Sequence, residues 1–182
     1  MQEVSRGRST SVLNRRKDRI QLEKLNPHYV SGFIDGEGSF SVSFGRHKTL
    51  KRRIEVRIEF AIELRKDDEE ILHRIKETIG CGKIYDCSYD RYGWYPHAKY
   101  KIGSIKEMKK FLLPFLNRYP LQAKKAKVFE FFAEIVEITA KKDHLENKGF
   151  KRILYLRNNM RKFGKKHNWK PPEYGKTVRS VV

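Results

Sequence analysis

Apolar and polar residues alternate most strictly between residues 39 and 64. Phe40, Val42 and Phe44 fall on one side of the chain and Ser39, Ser41 and Ser43 on the other, the period of two that a half-buried strand imposes. After a basic stretch at 45–53, Ile54, Val56, Ile58, Phe60, Ile62 and Leu64 alternate with Arg53, Glu55, Arg57, Glu59, Ala61 and Glu63, which predicts a second strand and a hairpin. Upstream, residues 27–34 begin at Pro27 and run into Asp35-Gly36-Glu37-Gly38, whose glycines suit a helix interior poorly, so a short helix is expected to end there. Downstream, Asp67, Asp68, Glu69 and Glu70 place negative charge where a helix begins, and Ile71, Leu72, Ile75 and Ile79 form a stripe before Gly80, which predicts a helix. Residues 83–88 and 98–102 read as a second hairpin around an aromatic loop with Tyr89, Tyr92, Trp94 and Tyr95.

Ser104-Ile105-Lys106-Glu107 has the form of a capping box, opening a helix with Ile105, Met108, Phe111, Leu112 and Phe115 inward until Tyr119-Pro120 breaks it. A longer amphipathic helix is predicted over 121–146, burying Val128, Phe129, Phe132, Ile135 and Val136. Residues 148–163 can form a basic amphipathic helix with Phe150, Ile153, Leu154 and Met160 inward, whereas 165–182, with Pro171-Pro172, have little to bury. The order is helix, two strands, helix, two strands, then helices, an α+β pattern without internal repeats.

Charge adds a functional constraint. The 182 residues hold 41 Lys plus Arg against 22 Asp plus Glu, a net of +19. Three segments carry all of it: residues 1–27 (7 basic, 3 acidic), 45–57 (6 and 1) and 147–182 (11 and 1). The rest is neutral, so a balanced core bears separate basic surfaces, an arrangement suited to gripping a polyanion. No apolar run approaches the roughly 20 residues that span a bilayer, and no membrane partner is expected. Arg6 and Arg8 among serines are a faint hint of an organellar transit peptide. Cys81 and Cys87 are the only cysteines, without a CxxC or Cys/His spacing, so two idle thiols in a reducing compartment are expected.

The segment Val30-Ser31-Gly32-Phe33-Ile34-Asp35-Gly36-Glu37-Gly38-Ser39-Phe40 resembles the LAGLIDADG motif of homing endonucleases: small residues, apolar residues, an acid, a small residue, a second acid and a glycine, in that order. The element order, Ile79-Gly80-Cys81-Gly82 and residues 114–125 (PFLNRYPLQAKK) are similar to the same family. The resemblance covers about residues 27–146, leaving 1–26 as a basic N-terminal extension and 147–182 as a basic C-terminal helix and tail. It implies an αββαββα fold in which helices cover one face of a four-stranded antiparallel saddle sheet. It implies a site-specific, intron-encoded DNA endonuclease that hydrolyses phosphodiesters with Mg²⁺, Ca²⁺ or Mn²⁺ being able to replace Mg²⁺ in binding. An intracellular setting follows, whether a bacterial or archaeal cytoplasm or an organelle matrix.

The motif also has a physical logic of its own. Small residues let two helix backbones approach, and two such helices side by side bring their terminal acids together where oxygen ligands hold a divalent cation. One motif supplies half of that arrangement, so the chain is expected to act as a homodimer on a long pseudo-palindromic site in double-stranded DNA. Ser31, Gly32, Ile34 and Asp35 are the expected dimer contacts, and Glu37 with Gly36 the expected metal site. Asp35 is ranked below Glu37 because the first acid is better placed to accept backbone hydrogen bonds. The resemblance assigns a catalytic cation to Lys125 and a polar residue to the position of Leu64, where leucine departs from the pattern and Glu63 or Arg65 is left as a substitute. Ser41, Ser43, Arg46, Lys48, Arg53, Arg57, Lys99 and Lys101 are the expected DNA-binding residues, since an antiparallel ribbon fits the major groove. The alternative is a catalytically silent DNA-binding regulator or an intron RNA maturase on the same fold, with Phe150, Tyr155 and Trp169 beside the tail's charge suiting RNA.

Overall fold

The computed structural model of the chain describes residues 23–50, 54–88, 93 and 95–164. Expectations for Arg53, for most of the aromatic loop, and for the N-terminal extension and the tail from Lys165 lie largely or wholly outside these residues. Helix α1 (Pro27–Glu37) starts where Asn26 accepts a hydrogen bond from the His28 amide at 2.9 Å, with Pro27 at the first helical position. It ends within the Asp35-Gly36-Glu37-Gly38 segment, as expected. Its termination at Gly38 requires glycine, because a Cβ there would sit 2.7 Å from the Ile34 carbonyl oxygen, the atom to which the Gly38 amide donates.

The chain turns directly into β1 (Ser39–Arg46), which pairs antiparallel with β2 (Ile54–Arg65) in the register Phe40↔Phe60 and Ser41↔Glu59. Helix α2 (Glu69–Ile79) buries Leu72, Ile75 and Ile79 and ends at Gly80 in the left-handed conformation. Strands β3 (Lys83–Cys87) and β4 (His97–Ile102) form the second hairpin, and β4 pairs with β2, giving the antiparallel order β1-β2-β4-β3. Phe40, Val42, Ile58, Phe60, Ile62, Ala98, Tyr100 and Ile102 point to the helices and enter one buried cluster. The Tyr100 hydroxyl donates to the Cys81 carbonyl at 2.9 Å, and burial pushes the Cys81 thiol up to about 12, as expected of an inert structural cysteine.

Ser104 caps α3 (Ile105–Glu107) by accepting from the Glu107 amide. The expected continuous helix is interrupted by a π-turn at Met108–Leu112 before α4 (Leu113–Arg118). Pro114 explains the interruption: it has no N–H to donate four residues back, and Leu113 donates five back, to Met108. Helix α5 (Lys125–Ala140) is shorter than expected at both ends. At its start, residues 121–124 form a turn held by Asp35; beyond its end, Lys142 takes a positive φ of 65° and a short 3-10 turn follows.

Helix α6 (Asn147–Gly164) changes the expected domain division. Ile153 and Leu156, both completely buried, and Met160 belong to the same core as the sheet and α5. Arg157 donates from Nε to the Val42 carbonyl on the outer edge of β1 at 2.9 Å, its guanidinium lies 4.8 Å from the centre of the Phe44 ring, and Phe150 packs on Phe44. A boundary at residue 146 therefore does not divide the core: α6 is part of the domain and covers an edge strand that would otherwise offer free backbone groups.

Leu156→Ala is expected to cost about 2–5 kcal/mol, read as a lower urea midpoint. Lys151→Ala, on the exposed side of the same helix, should stay within about 0.5 kcal/mol of wild type. An unchanged midpoint for Leu156→Ala would make α6 an appendage after all.

Candidate active site and nucleic-acid face

The C-terminal end of α1 meets the chain leading into α5. Asp35 Oδ2 accepts from the backbone amides of Gln122 at 2.6 Å and Ala123 at 3.2 Å. In the opposite direction, Lys125 Nζ donates to the carbonyls of Ile34 at 2.9 Å and Gly36 at 3.0 Å. The two contacts are reciprocal: an anion on α1 serves the amides leading into α5, and a cation from α5 serves two carbonyls at the C-terminus of α1, that of Gly36 and that of Ile34, which also accepts from the Gly38 amide. Burial lowers the Lys125 pKa below the usual lysine range, although the nearby charges of Asp35 and Glu37 favour its ammonium form.

Glu37 ends α1 with an exposed side chain that makes no hydrogen bond or ion pair among the described residues. Asp35, by contrast, is committed to its own protomer, and its Oδ1 is buried without a hydrogen-bond partner. The motif thus divides its two acids between a structural clasp and a free carboxylate. Hard oxygen donors, the Glu37 carboxylate with the Gly36 carbonyl beside it, fit Mg²⁺ or Ca²⁺. Among the described residues no group of three His, Cys, Asp or Glu is placed to hold a metal ion.

Two of the expected dimer contacts are corrected. Ile34 is completely buried and Ser31 is 5% exposed, with its hydroxyl donating to the His28 carbonyl at 3.0 Å. Both face the protomer's own core, which leaves little of either side chain for a second helix to meet. The outward face of α1 is formed by Tyr29, which is 51% exposed, with Gly32, the half-buried Phe33 and Gly36. A Cβ on Gly32 or Gly36 would meet nothing within 4 Å. Sequence reading found Gly32 but missed Tyr29 and Phe33; counting three, four and seven residues along from Tyr29 would have found the whole face.

On the side of the sheet away from the helices, the structure brings Ser41, Ser43, Arg57, Lys99 and Lys101 onto one polar surface, with Arg46 at the exposed end of β1 and Lys48 in the turn beyond it. A groove of about 480 Å³ runs along it, lined by Ser41, Ser43, Glu55, Arg57, Glu59 and Lys101 among others. Three of these cations are already paired. Arg57 bonds Glu55 at 2.8 Å, and Glu59 bonds both Lys99 at 2.9 Å and Lys101 at 2.5 Å. Burial would raise the Glu59 pKa, but hydrogen bonds and charge from the two lysines outweigh it and hold the carboxyl below the usual range.

Leu64 packs against the core. Of its two neighbours, Arg65 is taken by Asp67 at 2.7 Å and lies over the Tyr95 ring, whereas Glu63 stands on the polar face opposite Lys99 in register. Sequence reading did not single out Arg157 and Arg161, which with Ser41 and Val42 line a cleft of about 640 Å³ at the β1 edge. No helix among the described residues is long and apolar enough to cross a membrane.

Comparison with known proteins agrees with this fold. Over 138 residues, 75% of this chain, it is 30% identical to "Probable intron-encoded endonuclease 3" of Neurospora crassa, covering 25% of that protein. It is 33% identical to "Homing endonuclease I-ApeII" of Aeropyrum pernix over 59% of this chain and 60% of that one. Among solved structures, I-SmaMI bound to an uncleaved DNA target in the presence of calcium ions superposes with a TM-score of 0.70 at 31% identity, covering 76% of this chain and 46% of that one. The homing endonuclease I-TnaI superposes with a TM-score of 0.67 at 28% identity over 78% of this chain and 97% of that one. The chain thus spans less than two thirds of the first three proteins but nearly all of the last. The family model described as "LAGLIDADG endonuclease" matches residues 30–136, and the chain belongs to that family.

Proposed function

We propose that the protein is a site-specific, intron-encoded DNA endonuclease that works as a homodimer and hydrolyses phosphodiesters with a divalent metal ion. The observation that carries this reading is the pairing at the end of α1: Glu37 is exposed and uncommitted while Lys125 is fixed beside it on the Ile34 and Gly36 carbonyls. Glu37 would hold Mg²⁺, with the Gly36 carbonyl contributing only through the lone pair that Lys125 leaves open. Bound there, Mg²⁺ would polarise the scissile phosphate and make an attacking water more acidic. Lys125 keeps a positive charge at the place where charge develops on the phosphate, held by carbonyls rather than by a carboxylate that would cancel it. Asp35 keeps this geometry in register by fixing the turn before Lys125.

Assembly follows from what α1 leaves open. Gly32 and Gly36, four residues apart, allow a second α1 to approach closely, and the two-fold copy would set a second Glu37 beside the first. The homing endonuclease I-TnaI is matched over 97% of its chain by 78% of this one, so a solved homing endonuclease chain need not be longer than this one. Two equivalent subunits imply a roughly palindromic site. Ser41, Ser43, Arg46, Lys48, Arg53, Arg57, Lys99 and Lys101 would meet the DNA, while α6, with six basic residues and no acidic one, would add phosphate contacts that position without specifying.

The activity is tested by incubation with a plasmid carrying the joined sequences that flank the coding region, with and without Mg²⁺. Specific linearisation supports the enzyme; a gel shift without cleavage would select the regulator or the maturase. Glu37→Gln should lower the cleavage rate at least about 100-fold, since even groups that merely support a metal ligand are worth 10–100-fold, while DNA affinity in Ca²⁺ stays within a few fold. Near-normal cleavage by that variant would end the assignment.

Gly32→Leu separates assembly from folding. The position is empty within the protomer and leucine favours helix over glycine, so thermal stability of the protomer should not fall. Sedimentation velocity should nevertheless shift toward monomer, and cleavage should fall with it. An unchanged dimer would place the interface elsewhere.

A further inference from the structure

The polar face of the sheet carries more negative charge than a surface for a polyanion needs. Glu55, Glu59 and Glu63 occupy alternate positions along β2 among the residues that face away from the core. Glu59 bridges two lysines. It lies opposite Ser41 of β1, whose hydroxyl donates to the Glu59 carbonyl at 3.4 Å, and its carboxylate reaches β4, where Oε1 takes Lys99 and Oε2 takes Lys101. One side chain in the middle of the sheet therefore ties two lysines on the neighbouring strand. The three side chains are 26%, 29% and 37% exposed, against 50% and 60% for the helix-surface pair Lys127–Glu130. The cluster is shielded enough to keep its geometry, yet both ammonium groups line the accessible face.

We infer that Glu59 is a specificity-determining residue of the DNA face: by holding Lys99 and Lys101 over the sheet it keeps them directed at base edges and away from phosphates. The inference rests on the DNA-binding reading given above. A lysine ammonium is a point charge on a flexible four-carbon stem, and left alone it turns to the nearest phosphate. That contact strengthens binding to every sequence equally. A carboxylate between two lysines removes that reward. It repels phosphates, and the base-edge donor it can accept from in the major groove is the amino group of cytosine or adenine. Discrimination is a difference between affinities, and a group that penalises wrong partners contributes to it as much as one that favours the right partner.

The test is Glu59→Gln in the full chain, with Glu59→Asp as the charge-retaining control. Wild type and both variants are each used to select binding sequences from a pool of randomised DNA duplexes, and affinity for one arbitrary duplex is measured over a salt series. For Glu59→Gln the arbitrary duplex should bind several-fold more tightly at low salt. Its slope of log affinity against log salt should steepen by roughly 0.9 for each lysine that turns to a phosphate. The selected sequences should become more degenerate at one or two positions in each half-site, and Glu59→Asp should restore part of the lost selectivity. If Glu59→Gln leaves arbitrary-duplex affinity, salt slope and selected sequence unchanged, Glu59 is a structural ion-pair partner and the inference is wrong. If wild type enriches no sequence at all, the DNA-binding reading itself fails, a result distinct from an effect confined to the variant.

Discussion

Two helix ends that would otherwise expose unsatisfied backbone groups are joined by two charged side chains. The Gly36 carbonyl at the end of α1 and the Gln122 and Ala123 amides that lead into α5 have no helical partner, and the Ile34 carbonyl, which accepts from the Gly38 amide, has a lone pair to spare. Lys125 and Asp35 exchange places to serve them, each reaching across to the other element. Hydrogen bonds to charged groups contribute about 1.5–3 kcal/mol each, so four of them outweigh most single contacts in a domain of this size. The partial burial of Lys125 opposes its charge, and the arrangement persists because two carbonyls and two nearby carboxylates compensate. With that clasp in place, the direction of α1 relative to α5 is set, and Glu37, one residue beyond the last clasped carbonyl, makes no hydrogen bond and acts in the protomer only as a nearby charge on Lys125. A free acid beside a held lysine is what remains when the local backbone is satisfied.

Charge is arranged differently on the two surfaces that could meet DNA. The sheet face carries Arg57, Lys99 and Lys101 balanced by Glu55 and Glu59, whereas α6 carries six basic residues and no acid of its own. A balanced face gains little from phosphates and depends on matched donors and acceptors; an unbalanced helix attracts any polyanion. Arg157 joins the two, since the same guanidinium that caps the Val42 carbonyl on the β1 edge begins the basic surface of α6. Electrostatic attraction and sequence discrimination can thus reside in one core without sharing residues.

The strands were legible because their cause is local. Alternation in residues 39–44 and 54–64 follows from one buried face, and the structure places each of those apolar residues where the period of two puts it, apart from the exposed strand end at Ile54. What escaped the sequence depends on distant partners. The apolar spacing of α5 extends back to Leu121, yet the helix starts at Lys125 because Asp35, some ninety positions away in the chain, captures the amides of Gln122 and Ala123. Ser31 is small because it is packed inside, and size alone could not tell an inward-facing small residue from the outward-facing Gly32. The stripe of α6 was visible, but that it completes the main core was not, because its counterparts lie on β1 and α5. The double ion pair of Glu59 likewise needs the β2–β4 register, which no local pattern specifies.

The position of Glu37 and the shape of α1 bear on each other. A helix face with two glycines four residues apart and open space above both is a poor surface to leave in water: it adds the conformational cost of glycine to α1 and covers little of its own backbone. That cost is recovered where another backbone approaches closely, and on the proposed reading the approaching element is the same helix of a second copy. The face runs along α1 from Tyr29 to Gly36 and ends one residue before Glu37. Whatever closes over Gly36 must therefore come within reach of the free carboxylate. If it is a second α1, the incomplete interface and the incomplete acid set are made whole by one contact. Assembly then controls catalysis without any further device, since a separated protomer retains its fold, its clasp and its basic surfaces but holds only one of the two acids.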